Sequence, residues 1–290
     1  MRAKIIVKGI VQGVGFRPFI YRIAKENKLL GYVRNRGDAG VEVNIEGRQD
    51  SVTHFIAEIK EKKPPLAQIY DISIQYQEDK SEFKDFSIIR SFEGGNLSGS
   101  VIPFDTSICD ECLKELRDPE NRRNNYFFTT CTDCGPRYTI IKSLPYDRLN
   151  TTMNGFFICE ECRKEYADPL NRRFHAQTIA CPICGPTAFL TTNDGKILEN
   201  DDPIRTAGKL IGEGYITAIK GNGGFHITAS ATKNETIRRL RKTKKRSQKP
   251  FALMAKDLKT IQSFAQVSNE EENLLASSTR PIILLKKKND

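Results

Sequence analysis

From Lys4 to Val11 the residues have the β-branched character of a strand, and from Pro18 to Asn27 the apolar residues Phe19, Ile20, Ile23 and Ala24 recur on one helical face. Leu30 to Asn35 and Val41 to Glu46 read as two strands around the turn Arg36-Gly37-Asp38-Ala39-Gly40. Val52, Phe55, Ile56 and Ile59 make a second amphipathic helix, which Pro64-Pro65 stops, and Ile69 to Tyr76 alternates as a last strand. Strand, helix, strand, strand, helix, strand is the split βαβ order of a ferredoxin-like α+β sandwich. Further along, Ile204 to Gly212 reads as helix and Tyr215 to Ile219 as a buried strand. A glycine-rich loop, Lys220 to His226, follows, then a strongly basic helix, Asn234 to Lys245, and a short strand, Phe251 to Met254. Helices alternating with buried strands indicate an α/β domain. Ser91 to Ser100, rich in glycine and serine, and Thr191 to Gly195 read as connections. The pattern therefore predicts an α/β multidomain chain divided into residues 1–90, 101–190 and 200–290.

Between the first and last segments hydrophobic periodicity gives way to cysteine spacing. The eight cysteines form four Cys-x-x-Cys pairs: Cys109/Cys112, Cys131/Cys134, Cys159/Cys162 and Cys181/Cys184. Two thiolates on a tight turn grip one metal ion, and a second pair after a short interval completes a tetrahedron, so two four-cysteine zinc sites are expected. Cys109 to Pro136 and Cys159 to Pro186 match at 14 of 28 positions, which marks a duplicated metal-folded unit. Spacing leaves two pairings open, one local to each copy and one exchanging ligands between copies. His175 in Arg172-Arg173-Phe174-His175-Ala176 is read as a neighbour of the sites or of an interface, because both sites are filled by sulfur.

A disulfide framework is not expected. The chain is long enough to need no stapling, its N-terminus lacks the apolar run of a secretory signal, and the cysteines suit a reducing cytoplasm. No run approaches the ~20 apolar residues of a membrane span. The net charge is +10, from 46 Lys+Arg against 36 Asp+Glu. The basic excess is concentrated in residues 201–290, so anionic partners are expected at the flanking segments rather than the cysteine-rich middle.

Gln12-Gly13-Val14-Gly15-Phe16, between the first strand and helix, allows backbone N–H groups to converge ahead of a helix N-terminus, an anion cradle. Arg17 at its end can hold a phosphoryl group bidentately, and Asn35 at the end of the second strand could orient a water. Val11 to Arg17 followed by Gly31-Tyr32-Val33-Arg34-Asn35 resembles the acylphosphatase family over this whole segment. The resemblance implies that Arg17 binds the substrate phosphate and Asn35 positions the hydrolytic water, without a metal.

Gly214 to Met254, with Lys220-Gly221 and Lys244-Lys245-Arg246, resembles the YrdC-like family, which makes carbamoyl-type adenylates from ATP; its Lys-x-Arg pair falls on Lys244 and Arg246. The three segments in this order, with Cys131 to Ile141 and Arg172 to Gln177, resemble the carbamoyltransferases of NiFe-hydrogenase maturation. That resemblance implies hydrolysis of carbamoyl phosphate, adenylation of carbamate with ATP and magnesium, and transfer to the C-terminal cysteine of the maturation protein HypE. Members of that family continue beyond the equivalent of Asp290, so an incomplete YrdC-like portion is expected, with Lys244 and Arg246 facing half a pocket. A zinc-containing RNA-binding or tRNA-modifying protein is the competing class. It leaves Arg17 and Asn35 unexplained, and the basic helix lacks interleaved aromatics, so nucleic acid is not the expected partner.

Overall fold

The computed structural model describes residues 1–37, 40–78, 83–92 and 103–288. Asp38 and Ala39 of the expected turn, and most of the Ser91 to Ser100 connection, lie outside the described residues. The chain divides into two compact units, Met1–Pro186 and Thr187–Asp290.

The first unit begins with β1 (Arg2–Ile10), α1 (Phe16–Glu26), β2 (Leu30–Asn35), β3 (Val41–Glu46), α2 (Gln49–Glu61), β4 (Gln68–Gln77) and β5 (Phe86–Ile88). They form one sheet in the order β4-β1-β3-β2-β5, antiparallel except for β5, which runs parallel to β2. Alternation sends Ala3, Ile5 and Val7 of β1 to the covered face, where they meet Phe16, Phe19, Ile20 and Ile23 of α1 and Val52, Phe55 and Ile59 of α2. Burial of these side chains is what fixes the register, because a slip by one residue would turn every one of them outward. Gly31 sits in β2 at φ 134°, and a Cβ there would stand 1.9 Å from the Asn44 carbonyl oxygen, so glycine is required for the strands to approach.

The cysteine-rich segment follows in the same unit. Helix α3 (Asp110–Arg117) and helix α4 (Glu160–Ala167) are its two copies, each entered from a cysteine and carrying the second cysteine of the pair in its first turn. Acidic residues occupy those first turns and Lys114, Arg117 and Lys164 the last, as the helix dipole favours. Tyr126, Phe128, Ile140, Met153 and Ala180 form a small core shared by both copies. Tyr21 of α1 meets Phe174 at 5.2 Å between ring centroids, seating the sandwich against the cysteine-rich segment.

The second unit contains the hairpin β6 (Leu190–Thr191) and β7 (Ile197–Leu198), α5 (Pro203–Glu213), the hairpin β8 (Thr217–Gly221) and β9 (Gly224–Thr228), and α6 (Asn234–Thr243). Helix α7 (Leu258–Phe264), β10 (Ala265–Gln266), α8 (Asn269–Ala276) and β11 (Lys286–Lys287) complete it. Three expectations need correction here. Lys220 to His226 is not an open loop: the glycine-bearing turn joins two antiparallel strands, β8 and β9. The strand read at Tyr215 to Ile219 begins at Thr217, and it is not buried: among the described residues it pairs only with β9, and Ile219 remains 43% exposed. Phe251 to Met254 forms no strand, and no segment pairs with it among the described residues.

Candidate active site and metal centres

Gly13 and Gly15 adopt left-handed φ angles of 71° and 72°, which bend the chain sharply into α1. Gln12 pins the loop from below, donating through Nε2 to the carbonyl oxygens of Gly37 at 2.9 Å and Gly40 at 3.1 Å. Arg17, in the first turn of α1, is 9% exposed, and Asn35, the last residue of β2, is fully buried. The fold brings these two side chains to one point. That point is already taken, because both donate to the backbone carbonyl of Tyr146, Arg17 Nη2 at 3.1 Å and Asn35 Nδ2 at 3.4 Å. Arg17 Nη2 also pairs with Asp147 Oδ1 at 2.8 Å.

Residues of the cysteine-rich segment thus roof the glycine loop. Tyr146 donates its N–H to Gln12 Oε1 at 3.1 Å. Arg137 donates to the Gly13 carbonyl, and also to the carbonyls of Cys131 at 3.1 Å and Thr132 at 2.8 Å, so one guanidinium ties the glycine loop to the third cysteine's turn. A cavity of about 30 Å³ remains, lined by Gly13, Arg17, Arg137, Tyr146, His175 and Gln177 among others. Among the described residues two buried polar atoms of these side chains have no hydrogen-bond partner: Asn35 Oδ1, and the hydroxyl of Tyr146, which lines the cavity. Burial pushes the Tyr146 phenol up, so it stays protonated and able to donate. His175, at a left-handed φ of 55°, meets Phe174 edge to face and lies tilted against Tyr166; burial pushes it down to about 4, the Arg17 charge adding and Asp147 opposing. It belongs to the cavity wall and to neither sulfur cluster.

The eight sulfurs gather in two local groups, Cys109, Cys112, Cys131 and Cys134, and Cys159, Cys162, Cys181 and Cys184. Neighbouring Sγ atoms stand 3.8 Å apart in the first (Cys109 to Cys131) and 3.6 to 3.7 Å in the second, too far for disulfides. A tetrahedron of thiolates about 2.3 Å from zinc has edges of about 3.8 Å, so the donor set and spacing fit zinc. The grouping is local, as opposed to the ligand exchange that spacing alone allowed.

Exchange occurs one layer out. Arg172 of the second copy donates to Cys112 Sγ of the first at 2.9 Å, and Arg122 of the first donates to Cys162 Sγ of the second at 3.2 Å. Arg173 grips Glu115 of α3 and the Thr130 carbonyl, while Arg123 grips Glu165 of α4 and the Ala180 carbonyl. Burial alone would raise the Glu115 and Glu165 carboxyls, but the facing guanidiniums hold both below the usual value. Four thiolates exceed the charge of one divalent ion by two, and these arginines offset that excess in a partly buried site.

In the second unit Lys244 is exposed at the end of α6. Arg246 donates to the Pro250 carbonyl at 2.6 Å and stacks over Phe251 at 5.1 Å. Tyr146, Asp147 and Arg137 had not been singled out. Arg137 lies inside the Cys131 to Ile141 motif, whereas Tyr146 and Asp147 carry no local signal.

Family models match along the chain: acylphosphatase over residues 3–88, the HypF finger over 108–141 and 158–191, and the family described as telomere recombination over 209–290. The chain is 51% identical over 290 residues to a probable carbamoyltransferase HypF of Methanocaldococcus jannaschii, covering 100% of this chain and 38% of that protein. An acylphosphatase of Bacillus licheniformis is 39% identical over 88 residues, 97% of its length and 30% of this chain. A crystal structure of full-length HypF in a phosphate- and nucleotide-bound form superposes with a TM-score of 0.93 at 45% identity, covering 100% of this chain and 37% of that one. The chain spans a little over a third of the length of the HypF proteins it matches.

Proposed function

Because the chain belongs to the HypF family along its whole length, and its residues 3–88 to the acylphosphatases, we propose that it carries the carbamoyl-phosphate-hydrolysing part of a carbamoyltransferase of NiFe-hydrogenase maturation. The observation that carries this reading is the convergence of Arg17 and Asn35 on one point behind the glycine loop.

Loop N–H groups and the Arg17 guanidinium bind the phosphoryl oxygens, concentrating donors where negative charge grows. Asn35 Oδ1, without a partner among the described residues, accepts a hydrogen bond from the attacking water and aims it at phosphorus. The water oxygen forms its bond to phosphorus, the bond to the bridging oxygen breaks, and carbamate leaves with the electron pair. Both protons of the water stay with the phosphate, which leaves as dihydrogen phosphate. Carbamate is short-lived in water, so a roofed site suits its production.

The two four-cysteine groups hold zinc in this reading, as structural ions that fold the roof; no step passes through them. Lys244 and Arg246 contribute to an ATP site with magnesium, and the carbamoyl group passes on to the C-terminal cysteine of HypE. In the domain division, residues 1–90, 101–190 and 200–290 supply hydrolysis, roof and nucleotide binding. The RNA-binding alternative is not favoured, because the match to carbamoyltransferases runs along the whole of this chain. No helix among the described residues is long and apolar enough to cross a membrane, and the reading places the chain in the cytoplasm.

The purified chain is expected to release inorganic phosphate from carbamoyl phosphate, followed by phosphorus NMR, well above the spontaneous rate and without ATP. A zinc-loaded chain that releases none above the spontaneous rate refutes the reading.

A further inference from the structure

Arg17 and Asn35 have the donors of an acyl-phosphate site, and in this structure they are not idle. The Tyr146 carbonyl accepts from both, at 3.1 and 3.4 Å, and the Asp147 carboxylate is ion-paired to Arg17 at 2.8 Å. A carbonyl oxygen and an anionic oxygen, side by side and held by these donors, reproduce the two kinds of oxygen that an acyl phosphate presents. A cavity of about 30 Å³ remains beside the segment.

We propose that Tyr146–Asp147 is a resident mimic of the acyl phosphate, a segment that the ligand displaces and that thereby sets which ligands the site admits. The inference rests on the acyl-phosphate reading above and deepens it. A ligand without a phosphate charge to compete with Asp147 for Arg17 leaves the segment in place. A phosphorylated one exchanges with the carboxylate, and Gln12 Oε1 loses the Tyr146 N–H as the segment lifts. Arg137 does not take part in the exchange, because its guanidinium is occupied by the carbonyls of Gly13, Cys131, Thr132, Cys134 and Pro136. It keeps the roof attached while the segment moves.

The exchange makes apparent phosphate affinity the intrinsic affinity reduced by the fraction of chains with the segment lifted. Inorganic phosphate, titrated calorimetrically into the zinc-loaded chain, is the probe. Asp147→Asn should tighten its binding about tenfold by weakening the competitor, and Asp147→Glu, which restores the charge, should return it toward the wild-type value. Unchanged or weaker phosphate binding by a zinc-replete Asp147→Asn chain overturns the proposal. Should that variant not hold zinc, hydrogen exchange of the Tyr146 amide in the wild-type chain decides. Saturating phosphate should accelerate it several-fold, and an unaltered rate overturns the proposal. Both readouts are independent of turnover, so a chain that binds phosphate but fails to hydrolyse carbamoyl phosphate sinks the functional reading and leaves this one to be judged by the titration.

Discussion

Cys131→Ser is expected to lose one zinc ion per chain and keep the other. The sulfurs form two local groups, and Cys131 belongs to the first, where its Sγ is buried 3.8 Å from both Cys109 Sγ and Cys134 Sγ. A serine hydroxyl does not replace a thiolate ligand at neutral pH, and structural zinc contributes on the order of 10 kcal/mol or more to the folding of such a unit. The first copy should therefore unfold locally around α3. The second copy keeps four sulfurs but loses order in Arg122 and Arg123, which donate to Cys162 Sγ and Glu165, so its zinc should become easier to strip with a chelator. Metal analysis of the purified variant should return one zinc ion in place of two, with Cys181→Ser giving the mirror result. Two ions retained by either variant would contradict the ligand assignment.

Arg17→Ala should abolish most acyl-phosphate hydrolysis, because it removes the guanidinium that binds phosphate. It also frees Asp147 from its ion pair, but a looser roofing segment does not replace the lost phosphate donor. Removing a preorganised donor to developing charge costs about 3 kcal/mol, roughly a hundredfold in rate. For Arg17→Ala the loss should appear in both kcat and KM, because the group touches the phosphate throughout. Asn35→Ala should lower kcat by a similar factor with little change in KM, because the amide aims a water rather than holding the substrate. Steady-state kinetics with carbamoyl phosphate separates the two. An Arg17→Ala chain within threefold of wild type would remove the basis for the site.

Much of this was legible along the chain, for identifiable reasons. Strands β1 to β4 and helices α1 and α2 have one covered face each, and that alternation is visible residue by residue; the wholly buried β3 is the exception, recognisable by its β-branched residues and flanking turn. Strand β5 was missed because three residues carry no period, and it exists only through its parallel pairing with β2. The β8–β9 hairpin carried its signal in Asn222-Gly223, a turn-favouring pair, but the surrounding glycines read as a loop. Phe251 to Met254 has a strand's residues and no partner among the described residues, and an unpaired strand is not stable. The cysteine groups were legible because metal geometry restricts spacing. The arginine exchange was visible only as a repeated Asn-Arg-Arg, since the partners lie about 40 to 60 residues away. Tyr146 and Asp147 are further still from Arg17, and a contact across 129 positions leaves no trace in local pattern.

The central claim is that the acylphosphatase sandwich and the cysteine-rich roof make one selective site. The most direct test is the ratio of kcat/KM for carbamoyl phosphate to that for benzoyl phosphate, a bulkier acyl phosphate, measured on the same chain before and after zinc removal by a chelator. The roof crowds the glycine loop to a cavity of about 30 Å³, so the zinc-loaded chain should favour carbamoyl phosphate strongly. With zinc stripped, the sandwich keeps its own core and its Arg17 and Asn35, and benzoyl phosphate should become a competitive substrate. A ratio that zinc removal leaves unchanged would contradict the account.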